Sequence, residues 1–520
     1  MAARHAITLS SRVQRLPPNP FAPLVPLMKD PANIVLAQGV PPMELFPLAA
    51  MSVTLADGTA VSLSASDVQS AQRYPPFAWG PLLSWCRRHT AEVHRPPHAT
   101  ETGGGAGWDV AVAAGSMSSV EMAIALLLEP ANDQGKGDWL LVEEFSFTAS
   151  LDCLASVGAR TLGVPMDRHG IDPAALRQML VDCQRAVAAA AHADAAPPSL
   201  PGAGPGTGKV PASLDRMPKA LYTIPVGQNP TGGRLPASRY QEIYDVCQEF
   251  GVAIIEDDPY YYLQHDGTAA GPGAAGAVAT EGPMAALEPC AEVATVAPAD
   301  VWRGLGRSFL SLDVDGRVIR LDSFSKIVAP GFRLGWITAA PHVVRAYNGL
   351  AYCGSQNGSS LSMVVLGRLL ETWGDQGFAQ QITRAQSLLR RRSRALVAAV
   401  RAECGDLVDF AEPKAGLFLW VTLKDHMADG TALASFPSGG AVEKAMAEFG
   451  VVVLPGRVFA PFAADDSDDG CSSVASPPAT HRGLRLSFVG DEAAYSDACR
   501  RLRGLILLLC SQGAVQPPGA

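Results

Sequence analysis

No stretch of this chain of 520 residues approaches the run of about 18 apolar residues that a membrane-spanning helix needs, and the Leu-rich tail at 502–509 is too short to serve as one. Positive charge is also scarce. Lys and Arg number 41 against 50 Asp and Glu, a net charge of −9. With no basic stripe to neutralise a phosphate backbone, nucleic acid is a poor partner and a small molecule the expected ligand. The ten cysteines are scattered without a C-x-x-C pair, which excludes a zinc ribbon and a disulfide framework, so neither a metal site nor an oxidising compartment is expected. The N-terminus lacks acid until Asp30 and carries Arg4, Arg12 and Arg15. That composition suits an organelle transit segment, or a Pro-rich arm (Pro17, Pro18, Pro20, Pro23, Pro26) packed on the protein; the expected location is cytoplasmic, with mitochondrial as the alternative.

What is present is an ordinary globular composition, 48% hydrophobic and 18% charged, in a chain long enough for two or three domains. From about 108 to 340, short β-branched runs alternate with helical patterns, which predicts an α/β fold with a mixed, mostly parallel sheet covered by helices. Candidate strands are 139–142, 160–164, 220–224, 252–256, 318–322 and 334–338. Ligands on such sheets bind beyond the carboxyl ends of the strands. After a helical stretch at 376–404, the runs 417–421, 451–454 and 484–488 read as a smaller α+β unit. The expected organisation is an N-terminal arm (1–50), a large domain (51–345), and an interdomain helix with a small C-terminal domain (346–520). Tracts at about 187–216 and 266–300, rich in Ala, Gly and Pro, and a polar tract at about 464–481, read as surface insertions.

The segment Leu321-Asp322-Ser323-Phe324-Ser325-Lys326 follows a strand, and Arg333 stands seven residues on. A lysine amine can form an imine with an aldehyde, while two hydroxyls and a guanidinium can hold a phosphate. Alone, the tetrapeptide is no more than a lysine at a strand end. Upstream, Glu256-Asp257-Asp258-Pro259-Tyr260-Tyr261 puts carboxylates at another strand end. A buried carboxylate facing a pyridine nitrogen keeps it protonated, and Asp258 with Tyr261 is the expected pair; a helix N-cap is the plainer use of Asp before Pro. Asn229, in Gln228-Asn229-Pro230-Thr231-Gly232, has an extended backbone imposed by the proline and can aim its amide at a ring oxygen. Gly115-Ser116-Met117-Ser118-Ser119 opens a helical pattern whose free N–H groups suit a phosphate, or a plain N-cap.

In this order and spacing, N-P-T-G, D-D-P-Y-Y and S-F-S-K resemble the fold-type I aminotransferases of class I/II. V-G-Q-N-P-T-G, E-D-D-P-Y-Y-Y-L-Q and V-A-P-G-F-R-L-G-W-I narrow the resemblance to the kynurenine/2-aminoadipate branch and its fungal aromatic relatives, over about 15–510. The resemblance implies a pyridoxal 5'-phosphate enzyme that moves the amino group of an aromatic amino acid, kynurenine or 2-aminoadipate to a 2-oxo acid such as 2-oxoglutarate. Lys326 matches the Schiff-base lysine, Asp258 the pyridinium partner, and Asn229 and Tyr261 the ring-oxygen donors. Ser116, Met117, Ser323, Ser325 and Arg333 match the phosphate cup, and Phe147 the ring stacked on the cofactor. Arg485 matches the carboxylate-binding arginine, and Gly39 falls in the turn over the substrate. Tyr74 matches a tyrosine lent to the neighbouring subunit, implying a homodimer with shared sites.

Four departures stand out. Phe147 replaces the family's frequent Tyr; Gln38-Gly39-Val40-Pro41 has one glycine where relatives have two; Phe21 and Ala22 replace a basic residue; and Gln356-Asn357-Gly358-Ser359-Ser360 replaces a Pro-Ser. The apolar arm suits aromatic side chains and leaves a distal-carboxylate site open. A β-lyase or decarboxylase on the same scaffold remains an alternative, because the reaction depends on which Cα bond stands perpendicular to the ring. A non-catalytic regulator would need an added DNA-binding module, for which the residues before Ile34 leave no room.

Overall fold

In the computed structural model, the structure describes residues 7–17, 24, 27, 30, 32–33, 41–75, 78–97, 107–132, 137–191, 210–211, 213–265, 296–425, 427, 441–461 and 482–512. Most of the three expected insertions, most of the Pro-rich arm and Gly39 lie outside these residues.

Seven strands form the main sheet: β1 (Asp109–Ala113), β2 (Trp139–Glu143), β3 (Arg160–Val164), β4 (Ala220–Thr223), β5 (Ala253–Asp257), β6 (Val318–Ser323) and β7 (Gly335–Ala339). Their order is β1-β7-β6-β5-β4-β2-β3. β7 runs antiparallel to β6 and β1; every other pairing is parallel. The alternation of side chains divides two cores. Leu140, Val142, Tyr222, Ile255 and Leu321 pack on one side with helix α1 (Gly80–His94) and helix α2 (Ser116–Leu127). Trp139, Leu141, Leu221, Ile254 and Val318 face the other, against α4 (Pro173–Ala191) and α5 (Ala237–Glu249); α3 (Thr148–Ser156) belongs to the first core. Burial on both faces explains why β2, β4 and β5 read as unbroken apolar runs.

A helix of 45 residues, α6 (Ser360–Cys404), breaks at Gly374 and leads to the second sheet. That sheet is antiparallel, in the order β8 (Val408–Phe410), β9 (Phe418–Leu423), β11 (Gly483–Ser487), β10 (Leu454–Pro455). The run expected as a strand over 451–454 pairs only from Leu454 onward. Val451 N donates to Met446 O, closing the preceding helix, and Val452 is 83% exposed.

Candidate active site

At the carboxyl end of β6, Ser323 Oγ accepts from Ser325 N at 3.2 Å and starts a 3-10 turn, Phe324–Lys326. Phe324 is fully buried and pins that turn, leaving Lys326 exposed. Arg333 closes the next turn in the left-handed region, φ +52. Gly115, at φ +88, precedes α2, and a Cβ there would lie 2.8 Å from Arg333 Nη2. Only glycine lets the guanidinium lie against this helix N-terminus, whose first turn has no side-chain cap. Arg333 thus lies against the helix N-terminus that Ser116 and Met117 open, and α2 packs on β6, the strand that ends at Ser323; free N–H groups beside a guanidinium make a cradle suited to a dianion. Partial burial and the Arg333 charge pull the Lys326 amine below its ordinary pKa, which raises the fraction of free amine able to attack a carbonyl.

The carboxylate end of β5 corrects the sequence reading. Asp258 is buried against Arg320, whose Nη1 donates to its Oδ2 at 3.3 Å, and the Tyr261 hydroxyl donates to Gly306 O at 2.9 Å. Arg320 also pairs with Glu256 at 3.1 Å and Asp322 at 2.8 Å, and lies 4.6 Å from the Tyr261 ring. These two residues belong to a buried ionic cluster. Their neighbours Asp257 and Tyr260 face the site instead. Asp257 Oδ2 accepts from the Tyr222 hydroxyl at 2.7 Å, while its Oδ1 is buried with no partner. Burial, opposed by that hydrogen bond, raises Asp257 to about 7. Burial raises the Tyr260 phenol, with the Asp257 carboxylate raising it further and the Arg485 charge and the Asn229 side chain opposing the rise. The spacing could not separate the two pairs, since both are three residues apart and every residue of β5 is buried.

Arg485, on β11, donates from Nη1 to Asn229 Oδ1 at 2.7 Å. Its guanidinium lies 4.2 Å from the Phe418 ring and 5.0 Å from that of Phe459, and desolvation lowers its pKa. The small sheet reaches this point through a backbone contact. A Cβ on Gly227, φ +58, would lie 2.6 Å from Gly416 Cα, so the loop bearing Asn229 and the turn before β9 meet without side chains. Gln228 fixes the same loop: its Nε2 donates to Glu143 Oε2 at 2.9 Å, and its Oε1 accepts from Thr231 N at 2.8 Å. Burial lifts Glu143 to about 7. Phe147 caps α3, half-buried, one turn before Ser150, whose hydroxyl lies 2.8 Å from that of Tyr222.

One further predicted residue lies apart from this cluster. Tyr74 is 66% exposed, in a hollow of about 500 Å³ shared with Pro41, Arg73 and Gln356 and with none of the cradle residues. Gly39 is outside the described residues. Asp257, Tyr260, Tyr222 and Glu143 were not among the predicted site residues.

A family profile described as "Aminotransferase class I and II" matches residues 220–502, more than half of the chain. The chain belongs to that family. This aminotransferase is 28% identical to the mitochondrial kynurenine/alpha-aminoadipate aminotransferase of Mus musculus, over 83% of its own length and 85% of the relative's. It is 29% identical to the aromatic amino acid aminotransferase C56E4.03 of Schizosaccharomyces pombe, over 80% and 81%. Aminotransferase Aro8 of Candida albicans shares its fold, with a TM-score of 0.73, 24% identity, and coverage of 97% and 98% of the two chains. The family depends on pyridoxal phosphate and acts on small molecules. Among the described residues of this aminotransferase, no helix is long and apolar enough to cross a membrane.

Proposed function

We propose that this aminotransferase takes the amino group from an aromatic amino acid, kynurenine or 2-aminoadipate and passes it to a 2-oxo acid such as 2-oxoglutarate, with pyridoxal 5'-phosphate held at Lys326. The supporting observation is the meeting of Arg485, Asn229, Tyr260 and Asp257 at the carboxyl end of β5, which pairs in parallel with β6, the strand leading to Lys326. The fit to the cofactor rests on two features. The buried Oδ1 of Asp257 lacks a partner, as does that of Asp258, but only Asp257 is free of an ion pair with Arg320 and so open to a ring N–H, and the Gly115 cradle would be filled by any Cβ. When bound, the cofactor supplies an aldehyde for the amine and an electron sink for the charge left at Cα.

The protein's own groups do the rest. Arg485 grips the α-carboxylate as a two-pronged donor, strengthened by the apolar walls of Phe418 and Phe459. Lys326, an amine of lowered pKa, would take the proton from the substrate Cα as base and, once protonated, would serve as the acid that delivers it away from Cα. Asp257 would keep the ring nitrogen protonated, Tyr260 and Asn229 would hold the ring oxygen, and Phe147 would supply an aromatic face for the ring. The aromatic lining, with Trp420 4.9 Å from Phe145 and 6.1 Å from Phe459, favours aromatic donors. Tyr74, exposed on its own subunit, would reach the phosphate of a second copy, making a homodimer with shared sites. The expected location is cytoplasmic, with mitochondrial, as in the name of the Mus musculus relative, the alternative.

The test is a panel of these donors against 2-oxoglutarate with the purified holoenzyme. A stoichiometric yield of glutamate and the donor's 2-oxo acid is expected, and Lys326→Ala should abolish it while the fold survives. Ammonia or CO₂ in place of glutamate, or full turnover by Lys326→Ala, would refute the assignment.

A further inference from the structure

The Tyr222 side chain is fully buried on β4, and its hydroxyl sits between two partners: Ser150 Oγ at 2.8 Å and Asp257 Oδ2 at 2.7 Å. The sheet register explains the meeting. Tyr222 pairs with Ile255, and Asp257 lies two residues further along β5, on the same face. A phenol has one proton, and an ionised carboxylate can only accept. The phenol therefore donates to Asp257, and its oxygen takes the Ser150 proton. A hydroxyl that accepts a hydrogen bond is the stronger donor for it.

We propose that Tyr222 is a positioning residue for the reaction: backed by Ser150, it holds Asp257 as an oriented carboxylate with Oδ1 left for the cofactor ring. The assignment rests on Asp257, rather than Asp258, being the ring partner. Other charged or titratable groups act on Asp257 from around it: Glu143 from β2, Arg320 and Asp322 from β6, and Tyr260 from its own loop. Arg320 is engaged by Glu256, Asp258 and Asp322. That leaves the Tyr222 hydroxyl as the direct hydrogen-bond donor to Asp257 among the described residues. Without it, both carboxylate oxygens would be buried and unpaired, and the group would hold its proton to higher pH. A neutral acid in the free protein still accepts from Tyr222 but gains less from it than the ionised form paired with a ring N–H does. Loss of the hydroxyl therefore costs most affinity where the free Asp257 is neutral, and least where it is already ionised.

The probe is pyridoxamine 5'-phosphate, which has no aldehyde to react with Lys326, bound to the full chain stripped of cofactor. Titrations of the parent and of Tyr222→Phe, Ser150→Ala and Asp257→Ala at pH 6.5 and pH 9 separate the possibilities, with Glu143 intact in all four. Tyr222→Phe is expected to bind about tenfold more weakly at pH 6.5, with the gap narrowing to about twofold or threefold at pH 9. Ser150→Ala should show a smaller loss with the same trend, and it carries the test if Tyr222→Phe does not fold. A loss of equal size at both pH values, or none, with Asp257→Ala still impaired, would overturn the relay and leave the ring-partner assignment standing. Parent-like binding by Asp257→Ala would overturn both.

Discussion

The chemistry turns on which of two adjacent aspartates faces the ring, a one-residue difference with opposite consequences on substitution. Asp257→Asn is expected to lower turnover by at least about a hundredfold, because a neutral amide cannot hold the ring nitrogen protonated. Asp258→Asn should retain most turnover and destabilise the fold instead, since it unbalances the Arg320 cluster; steady-state kinetics beside thermal melting distinguishes the two. The opposite pattern would restore the assignment to Asp258. The raised pKa of Asp257 supplies an independent check. Folded and free of cofactor, the chain holds a proton there up to about pH 7, whereas the unfolded chain releases it near pH 4. The resulting stability is complete below about pH 4 and is lost as the pH rises toward 7. Asp257→Asn cannot ionise and escapes that loss. Its melting temperature should rise above the parent's progressively between about pH 4 and pH 7 and level off above; a constant offset would contradict the shift.

At the scale of elements, the site is assembled where loops from the two sheets touch through backbone alone. Gly416→Ala, at φ +75 with its Cβ 2.8 Å from Gly227 Cα, should cost roughly 1–3 kcal/mol and lower turnover, because Asn229 stands two residues from Gly227. An unchanged urea midpoint and unchanged kinetics would show that this contact can open freely. The strands that build the site were legible in the sequence: 139–142, 160–164, 220–224, 252–256, 318–322 and 334–338 each fall within about a residue of β2 to β7. The face on which each residue of β5 lies was not legible. A strand buried on both sides shows no polar alternation, so Glu256, Asp257 and Asp258 looked equivalent until Tyr222 and Arg320 divided them. The run at 451–454 misled for a related reason: consecutive valines have strong β propensity, yet Val451 closes a helix and only Leu454 and Pro455 find partners on β11.

For the whole molecule, the α/β class was legible in the sequence, because alternating strand and helix runs are local patterns. Partners brought in from other elements, such as Tyr222 and Glu143, leave no local mark. The exposure of Tyr74 has its own consequence. If two copies share sites, Lys326→Ala and Tyr74→Ala are each impaired, but a mixed dimer contains one intact site. Denaturing and refolding the two together should recover roughly a quarter of parental activity, whereas recovery no greater than the sum of the separate variants would argue for self-contained subunits. The central claim, that Lys326 is the amine carrying the cofactor, is tested most directly by borohydride reduction of the holoenzyme followed by peptide mass mapping. A phosphopyridoxyl group is expected on the peptide containing Lys326. An unmodified Lys326, with the label on another lysine such as Lys219 or Lys414, would contradict it.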